Sequence, residues 1–312
     1  MIPVIELIFA PRKENLTETQ ETLIKDSALY DGMIYLTVPL QWGFVGWFLW
    51  IIATAQLEVY EFIGLISAMG IMCGTFGINV GHELGHRFKK HERFLAKTSL
   101  LSSLYMHFYI EHNRGHHKNV STEIDPASSR YGEIIYTFWF RSIIGGYLSA
   151  WKLEEDRLKR KKLPVMSLQN EMLRYQLIQI ALLAGIYAAF GGWALFGFIN
   201  AALVGILLLE TVNYIEHYGL QRDQMESGNY ERVMPHHSWN SDHVLGRLML
   251  FELSRHSDHH YMASRKYQIL RHHENAPQMP TGYPGMMVMA LVPPVWFGVM
   301  HRRIEGLQEM VS

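Results

Sequence analysis

Three long stretches of this chain carry no charged side chain, and they restrict the fold more than any other feature. Residues 33–55 and 62–81 each match the length of about 20 apolar residues that one helix needs to cross a bilayer. Residues 175–209 are uncharged throughout, which is too long for one span. The Gly191–Gly192 pair in their middle predicts two helices joined by a turn. The sequence therefore predicts an all-α integral membrane protein with about four transmembrane helices.

Three further apolar stretches are not typical of spans. Residues 98–110 are too short, residues 134–151 are interrupted by Arg141 and two glycines, and residues 279–300 contain four prolines. We expect interfacial or re-entrant segments there, packed on the spanning helices. The N-terminus lacks a basic region and a cleavage site of small residues, so no cleavable signal peptide is expected. We predict one membrane-embedded domain over residues 1–312.

The charged loops predict the orientation in the membrane. Residues 86–97 hold five Lys and Arg, and residues 152–162 hold six, whereas residues 56–61 hold two acids and no base. Because basic loops stay on the cytoplasmic side, both termini and the basic loops are expected there, in the cytoplasmic (inner) membrane. The net charge of −1 gives no support for binding nucleic acid. The single cysteine, Cys73, excludes an intramolecular disulfide and disfavours a thiolate metal site.

Nine of the seventeen histidines fall into four clusters, each at the end of an apolar helix or just after it. The clusters lie in "HELGHR", "EHNRGHH", "NYIEHYG" and "SRHSDHH". Spacings of three and four residues place side chains on one face of a helix. The clustered residues are His82, His86, His112, His116, His117, His217, His256, His259 and His260. We expect them to form a cytoplasmic, histidine-rich helical cap.

One such cluster alone is more often surface or core histidine than a ligand, but four at one depth favour a metal site. Neutral imidazole is a common ligand for zinc, copper, iron and nickel. Nine nitrogens exceed what one ion accepts, so a dinuclear centre is predicted. Zinc sites use three or four protein ligands, whereas iron accepts more and carries redox chemistry. The pattern therefore favours two iron ions over zinc.

Acidic residues accompany the clusters. Carboxylates beside ligating histidines accept the second ring N–H and offset the charge of the ions. The alternative is that some of them only cap helices, above all the aspartate before Pro126. A carboxyl group inside a span is costly and by default functional. The candidate supporting residues are Glu83, Glu111, Asp125, Glu210, Glu216 and Asp258.

The remaining histidines are weaker candidates. In "PHHSWNSDH", the residues His236, His237 and His243 do not share a helix face with the clusters, and they favour a supporting or docking role over ligation. The isolated residues are interpreted as surface, packing or interface residues: His91, His107, His272, His273 and His301.

The four motifs, in this order and spacing, resemble the membrane-bound alkane 1-monooxygenase family, a relative of the membrane desaturases and hydroxylases. The stretches "DPASSRYGEIIYTF", "PHHSWNSDH" and "PTGYPGMM" are also similar to that family, so the resemblance covers nearly the whole chain. The xylene and toluene side-chain monooxygenases are similar too, but their second motif departs from "EHNRGHH". The family usually has six spans, and this chain begins at a stretch similar to the segment after the family's second span. Two N-terminal spans are therefore expected to be absent.

The resemblance implies a non-haem diiron centre, with the nine clustered histidines as ligands, that uses O2 to hydroxylate the terminal methyl group of n-alkanes. It also implies that electrons come from rubredoxin, which an NAD(P)H-dependent reductase reduces. The chain has neither a cysteine motif for an iron–sulfur site nor a GxGxxG fingerprint, so an external donor is expected from the residues as well. The proposed docking residues are Arg265, Lys266 and Arg271.

Three other functions stay open at this point. "HELGH" satisfies the HExxH pattern of a zinc protease with Glu83 as general base, although such a site needs only one further ligand. A desaturase or hydroxylase of fatty acyl chains or alkyl-aromatic methyl groups would use the same diiron chemistry, with differently spaced histidines. A metal transporter would need ligands near the middle of the membrane, whereas these lie at helix ends.

Overall fold

Helices are the main secondary structure in the part of the chain that the computed structural model describes, residues 2–6 and 8–311. No β-strand occurs among those residues, which contain only two isolated bridges. The α-helices are α1 (Ile2–Glu6), α2 (Glu18–Lys25), α3 (Ala28–Thr54), α4 (Val59–Met72), α5 (Asn79–Gly85), α6 (Lys90–Leu101), α7 (Phe108–Glu111), α8 (His117–Asn119), α9 (Ile135–Arg160), α10 (Glu171–His217), α11 (Val244–Met249), α12 (His256–Tyr261), α13 (Tyr283–Ala290) and α14 (Pro293–Val311). Two π-helical turns, Cys73–Ile78 and His112–His116, and two 3-10 turns, Pro235–His237 and Tyr267–Ile269, complete them.

Within the described part of the chain, three helical stretches are long and apolar enough to cross a membrane: Ala28–Thr54, Val59–Gly85 and Glu171–His217. The second joins α4 to α5 through the π turn Cys73–Ile78. The third consists of two helices that meet at Gly191, where φ is 83° and ψ is 179°. Only glycine adopts that backbone conformation readily, so the predicted break at this position is confirmed. The four predicted spans correspond to these three stretches, with the third counted as two helices.

The chain forms two compact units. Unit 1 comprises Met1–Ser27, His116–Gly145 and Glu210–Ser312, and unit 2 comprises Ala28–Gly115 and Gly146–Leu209. The core of unit 1 is aromatic, with Tyr214, Tyr218, Trp239, Tyr283 and Trp296 almost fully buried. The core of unit 2 is mostly aliphatic and lies between the spanning helices α3, α4 and α10. The single domain that the sequence predicts stays a prediction.

The glycines of residues 134–151 lie within an unbroken helix, and the interfacial or re-entrant placement of this segment stays a prediction. Helix α9 is continuous, and a Cβ on Gly145 would lie 2.9 Å from the Cβ of Pro126. The glycine therefore permits a close approach instead of a break. Arg141 bonds Glu133 and the carbonyl oxygens of Pro126 and Ser128, so its charge is satisfied beside the helix. Residues 279–300 contain helix α13 and the first part of α14.

Candidate metal centre

Three of the predicted ligands come together in unit 2. His82 lies on α5 and His86 directly follows that helix, with their Nε2 atoms 3.2 Å apart. The Nε2 atom of His112, at the end of α7, lies 3.2 Å from that of His86. A Cβ on Gly81 would lie 2.7 Å from the Leu100 side chain, so this glycine lets α6 pack directly on α5. The sequence thus holds the pair firmly at the end of a spanning helix.

The other six predicted ligands lie in unit 1. The Nε2 atom of His116 is 3.2 Å from that of His260, and the Nε2 atoms of His217 and His256 are also 3.2 Å apart. One nitrogen from each of these four buried rings lies within 4.8 Å of the others. The Nε2 atoms of His117 and His259 form a further pair, 3.1 Å apart. All nine histidines therefore lie in clusters of converging ring nitrogens.

The spacing in "EHNRGHH" predicts His112 and His116 on one helix face, and this prediction is wrong. The two residues bound a π-helical turn, which inserts an extra residue relative to an α-helix. His112 contacts His86, whereas His116 contacts His260. A spacing of four residues places side chains on one face only in a regular α-helix, and no propensity signal identifies the π turn in advance.

The unit 1 histidines fit a metal cation. The Nδ1 atom of His116 donates to Oδ2 of Asp125 at 2.8 Å, which leaves its Nε2 lone pair directed at the cluster. Asp125 also accepts from the Ser128 hydroxyl at 2.6 Å and from the amide of Ala127. If the other three rings also keep their proton on Nδ1, four Nε2 lone pairs converge on one point. A cation at that point accepts all of them.

Glu216 supports the same cluster, but not in the expected way. Its Oε2 lies 3.1 Å from Nε2 of His256, and Tyr283 donates its hydroxyl proton to Oε1 at 2.8 Å. The carboxylate therefore faces the nitrogen that converges with the other rings, and not the second ring nitrogen. Its position adds negative charge directly beside the four histidines of unit 1.

Glu83 belongs to a buried ion cluster in unit 2. The Nε atom of Arg87 donates to Glu83 at 2.9 Å, and its Nη1 donates to Asp31 at 3.0 Å. Glu92 lies 3.8 Å from the same guanidinium and accepts from the Tyr35 hydroxyl. Because Glu83 is bonded to a guanidinium, it is not poised as the general base that a zinc protease requires. Arg87 follows the first histidine pair directly, but no sequence signal identifies Asp31 and Glu92 as its partners.

Asp258 connects helix α12 to the segment after it. It is fully buried and accepts from Arg265 at 2.7 Å, from the Arg271 amide at 2.9 Å and from His273 at 2.7 Å. These bonds hold α12, which carries three of the histidines, in a fixed orientation. The carboxylate thus bonds residues 265–273, instead of the second ring nitrogen of a clustered histidine as expected.

The last two predicted carboxylates are buried as well. A Cβ on Gly115 would lie 2.5 Å from Oε1 of Glu111, so the glycine makes room for this carboxyl group. Glu210 accepts from the side-chain amide of Asn213 at 3.3 Å. Both residues lie close in sequence to clustered histidines, as expected, and their supporting role stays a prediction.

The three predicted docking residues form ion pairs within unit 1. Arg265 bonds Asp258, Arg271 bonds Glu21 at 2.5 Å, and Lys266 lies 3.7 Å from Asp26. The hydrogen bond from Arg271 lowers the pKa of the Glu21 carboxyl group. These cations thus fasten the N-terminal helix α2 and helix α12 to residues 265–271.

A third group that could hold a metal consists of Glu231, His236 and His237. The Nδ1 atom of His237 accepts the amide proton of Met234 at 3.0 Å, so its Nε2 carries the ring proton and donates to Glu231 at 3.1 Å. Burial lowers the pKa of His237 to about 4. The neutral ring already has both nitrogens satisfied, and this group serves as a structural hydrogen-bond network.

Two isolated histidines have structural roles in the fold. The Nδ1 atom of His272 donates to Asp242 at 2.7 Å, and Asp242 also bonds the buried Arg255. Arg255 in turn donates to the carbonyl oxygens of Arg12 and Glu14, which anchors the N-terminal segment. His107 packs between Tyr105 and Tyr147, as a packing residue would. No spacing pattern in the sequence marks His272 and Arg255 as partners of Asp242.

Unit 2 also contains an apolar groove of about 810 Å³ between α3, α4 and the second half of α10. Its aromatic wall includes Phe62, Trp193 and Phe196. At a rise of about 1.5 Å per helical residue, Phe62 lies roughly 30 Å along the helix from His82. The aromatic wall of the groove therefore lies towards the opposite end of this spanning stretch from His82.

Comparisons with known proteins agree with this site. The family described as "Fatty acid desaturase" matches residues 59–290, which include all four histidine clusters. Alkane 1-monooxygenase 1 of Alcanivorax borkumensis is 42% identical over 297 residues, which are 95% of this chain and 73% of that protein. Alkane 1-monooxygenase 2 of Pseudomonas aeruginosa is 41% identical over 308 residues, 98% of this chain and 82% of that protein. The hydroxylase component of the xylene/toluene monooxygenase of Pseudomonas putida is 30% identical over 272 residues, 85% and 71% of the two chains.

The helical membrane fold and its converging histidines thus define a protein of the fatty acid desaturase class. Within that class, the chain belongs to the alkane 1-monooxygenase family. The resemblance that the sequence motifs carry is confirmed, and the protein is an oxidoreductase of the monooxygenase type.

Proposed function

We propose that the chain hydroxylates medium- to long-chain n-alkanes to 1-alkanols, with O2 as the oxidant, at a histidine-ligated diiron centre. The single observation that carries the proposal is the convergence of buried Nε2 atoms, four of them within 4.8 Å in unit 1. The names of the relatives supply the substrate class. The proposed ligands are the nine clustered histidines, and bound iron would supply the activation of O2 and the oxidation of a C–H bond.

The residues of the chain have defined tasks in this proposal. Asp125 holds the proton of His116 on Nδ1, so that Nε2 is available to the metal. Glu216 and Asp125 bring negative charge to a buried place, which offsets the charge of divalent ions. Neutral imidazoles alone would leave that charge uncompensated in a poorly solvated environment.

A terminal C–H bond offers no polar group for acid–base or nucleophilic attack, so the proposed site must act by oxidation. The reaction consumes one alkane, one O2, two electrons and two protons, and yields one 1-alkanol and one water. The electrons are proposed to come from rubredoxin and its NAD(P)H-dependent reductase, because the only cysteine of the chain, Cys73, is buried.

We further propose that the protein lies in the cytoplasmic membrane with the histidines towards the cytoplasm. The basic residues of 86–97 and 152–162 support this orientation. A reporter fused after Ser312 should be cytoplasmic, and one inserted at residues 56–61 should be periplasmic. The reverse topology would separate the site from a cytoplasmic electron donor and contradict the proposal.

The activity is tested with purified protein in nanodiscs, supplied with rubredoxin, its reductase, NADPH, an n-alkane and oxygen-18 gas. The proposal predicts 1-alkanol that carries one oxygen-18 atom. An absence of labelled 1-alkanol from iron-loaded protein over a series of chain lengths would contradict it.

A second candidate is a hydroxylase or desaturase that acts on alkyl-aromatic methyl groups or fatty acyl chains. The likeness to the xylene/toluene monooxygenase component and to the desaturase family favours it. The same assay with toluene, xylene or a fatty acid in place of the alkane distinguishes the two. Turnover of an aromatic methyl group or an acyl chain in preference to every n-alkane would support the second candidate.

A further inference from the structure

The proposed reaction needs two electrons from outside the chain. The inference rests on that proposed function and concerns the surface that receives the electron donor. We propose that a small acidic one-electron carrier protein docks on the surface formed by Lys118, Arg232, Tyr261 and Met262, beside the His117–His259 pair. This set of four residues is called the Lys118–Arg232 surface. All of it lies in unit 1.

Exposure of the histidines points to this surface. Among the six clustered histidines of unit 1, His117 is the one that is partly exposed, and the other five are buried. Its neighbour Lys118 is exposed. His117 contacts His259 through the Nε2 atoms, so it connects the protein surface to the cluster. An electron that arrives at His117 therefore needs no long path through apolar side chains.

A buried arginine brings the parts of the surface together. The Nη2 atom of Arg222 donates to the carbonyl oxygen of Lys118 at 2.8 Å, and its Nη1 donates to that of Glu231 at 2.9 Å. Its Nε also donates to Val120 at 2.7 Å. One guanidinium thus joins two distant segments, which places the backbones at Lys118 and Arg232 side by side.

The surface combines positive charge with apolar contact area. The guanidinium of Arg232 lies over the ring of Tyr261, 5.2 Å from its centroid, and Met262 is 41% exposed. Arg, Tyr and Met are enriched in protein interfaces. Interfaces of electron-transfer partners are small, so a docking surface centred on four residues is sufficient.

The cations of this surface remain available for a partner. Among the described residues, neither Lys118 nor Arg232 makes an ion pair, whereas Arg265 and Arg271 bond Asp258 and Glu21. The acid of the same segment, Glu231, accepts from His237 and from the Asp223 amide. An acidic partner therefore gains more from Lys118 and Arg232 than from the residues that the sequence predicts. Each of two reduced carriers would deliver one electron there and leave oxidised.

The test measures binding of a purified bacterial rubredoxin, as the acidic probe, to the protein in nanodiscs. Reversal of both charges, Lys118→Glu with Arg232→Glu, should weaken binding at least tenfold at low ionic strength. The affinity of this variant should also fall less steeply than that of the wild type as salt is added, because the steering charges are gone. The conservative pair Lys118→Arg with Arg232→Lys should bind as the wild type does.

Lys89→Glu with Lys90→Glu is the matched control. It changes the charge equally at two exposed positions of unit 2. Iron content and the rate at which dithionite reduces the iron are measured on every variant and should not change. If the Lys118→Glu with Arg232→Glu variant binds rubredoxin as tightly as the wild type does, the proposal is overturned. Equal weakening by the control, loss of iron from the double variant or no binding by the wild type would also overturn it.

The same measurements separate this inference from the proposed function. A wild type that binds rubredoxin through this surface but forms no 1-alkanol would contradict the proposed function and support the docking surface. If the Lys118→Glu with Arg232→Glu variant forms 1-alkanol as well as the wild type does, the result supports the proposed function and overturns the docking surface.

Discussion

The Nδ1 atom of His116 lies 2.8 Å from Oδ2 of Asp125, and this contact determines which nitrogen of the ring faces the other histidines. Both residues are almost fully buried, so the bond is shielded from water. The sequence alone leaves open that Asp125 is a helix cap before Pro126. The observed contact instead makes it the carboxylate partner of a clustered histidine.

Asp125→Asn tests this relationship. The amide removes the negative charge and no longer accepts equally from Ser128 and His116, so iron affinity should fall about 10- to 100-fold. A chelator titration followed by iron analysis measures the effect. Glu123→Gln, at an exposed position two residues away, is the control and should retain iron. Equal iron retention by both variants would remove Asp125 from the support of the site.

Arg87→Gln tests the buried ion cluster of unit 2. The change leaves the carboxylates of Asp31, Glu83 and Glu92 without their common cation, which should cost about 3–5 kcal/mol of stability. Thermal unfolding in detergent measures it, with the exposed Lys89→Gln as control. If Arg87→Gln and Lys89→Gln unfold at the same temperature, the cluster does not stabilise the fold.

Gly205→Ala tests the close packing of the spanning helices. A Cβ on Gly205 would lie 2.7 Å from the Cβ of Cys73, so the variant should lose about 1–3 kcal/mol. Gly185, in the first half of α10, has no atom within 4 Å of its would-be Cβ. Gly185→Ala should therefore leave the unfolding temperature unchanged or raise it. If Gly185→Ala lowers the unfolding temperature more than Gly205→Ala does, the result contradicts this close packing.

The Glu21–Arg271 pair predicts a pH dependence. The hydrogen bond from Arg271 lowers the pKa of Glu21 below its ordinary value of 4.5 in the folded chain. The pair therefore contributes stability above that ordinary value, and the contribution is lost as the pH falls through the lowered pKa. Glu21→Gln should unfold earlier than the wild type at about pH 7, and the difference should shrink at about pH 3. A difference that grows in acid would refute the assignment.

Features that depend on local sequence were predictable. Uncharged runs of spanning length identify α3, α4 and α10, and the paired glycines locate the turn at Gly191. The spacing of three and four residues correctly groups His82 with His86. These patterns need no knowledge of distant contacts, because each follows from the period of a helix or the conformational freedom of glycine.

Features that depend on distant contacts were not predictable. The pairing of Arg87 with Asp31 joins residues 56 positions apart, and that of Arg271 with Glu21 joins residues 250 apart. The basic residues after the last cluster look like a docking surface in the sequence, since a one-dimensional pattern does not reveal their internal partners. The π turn at His112–His116 likewise results from packing, and it redirects two histidines that a regular helix would keep together.

The metal content of the purified protein tests the central claim most directly. Elemental analysis of protein expressed with sufficient iron and zinc should find two irons per chain, because nine converging histidines exceed what one ion accepts. His217→Ala, which removes one of the four buried nitrogens of unit 1, should lower that value. One zinc per chain and no iron would contradict the diiron centre and the oxidation that it is proposed to perform.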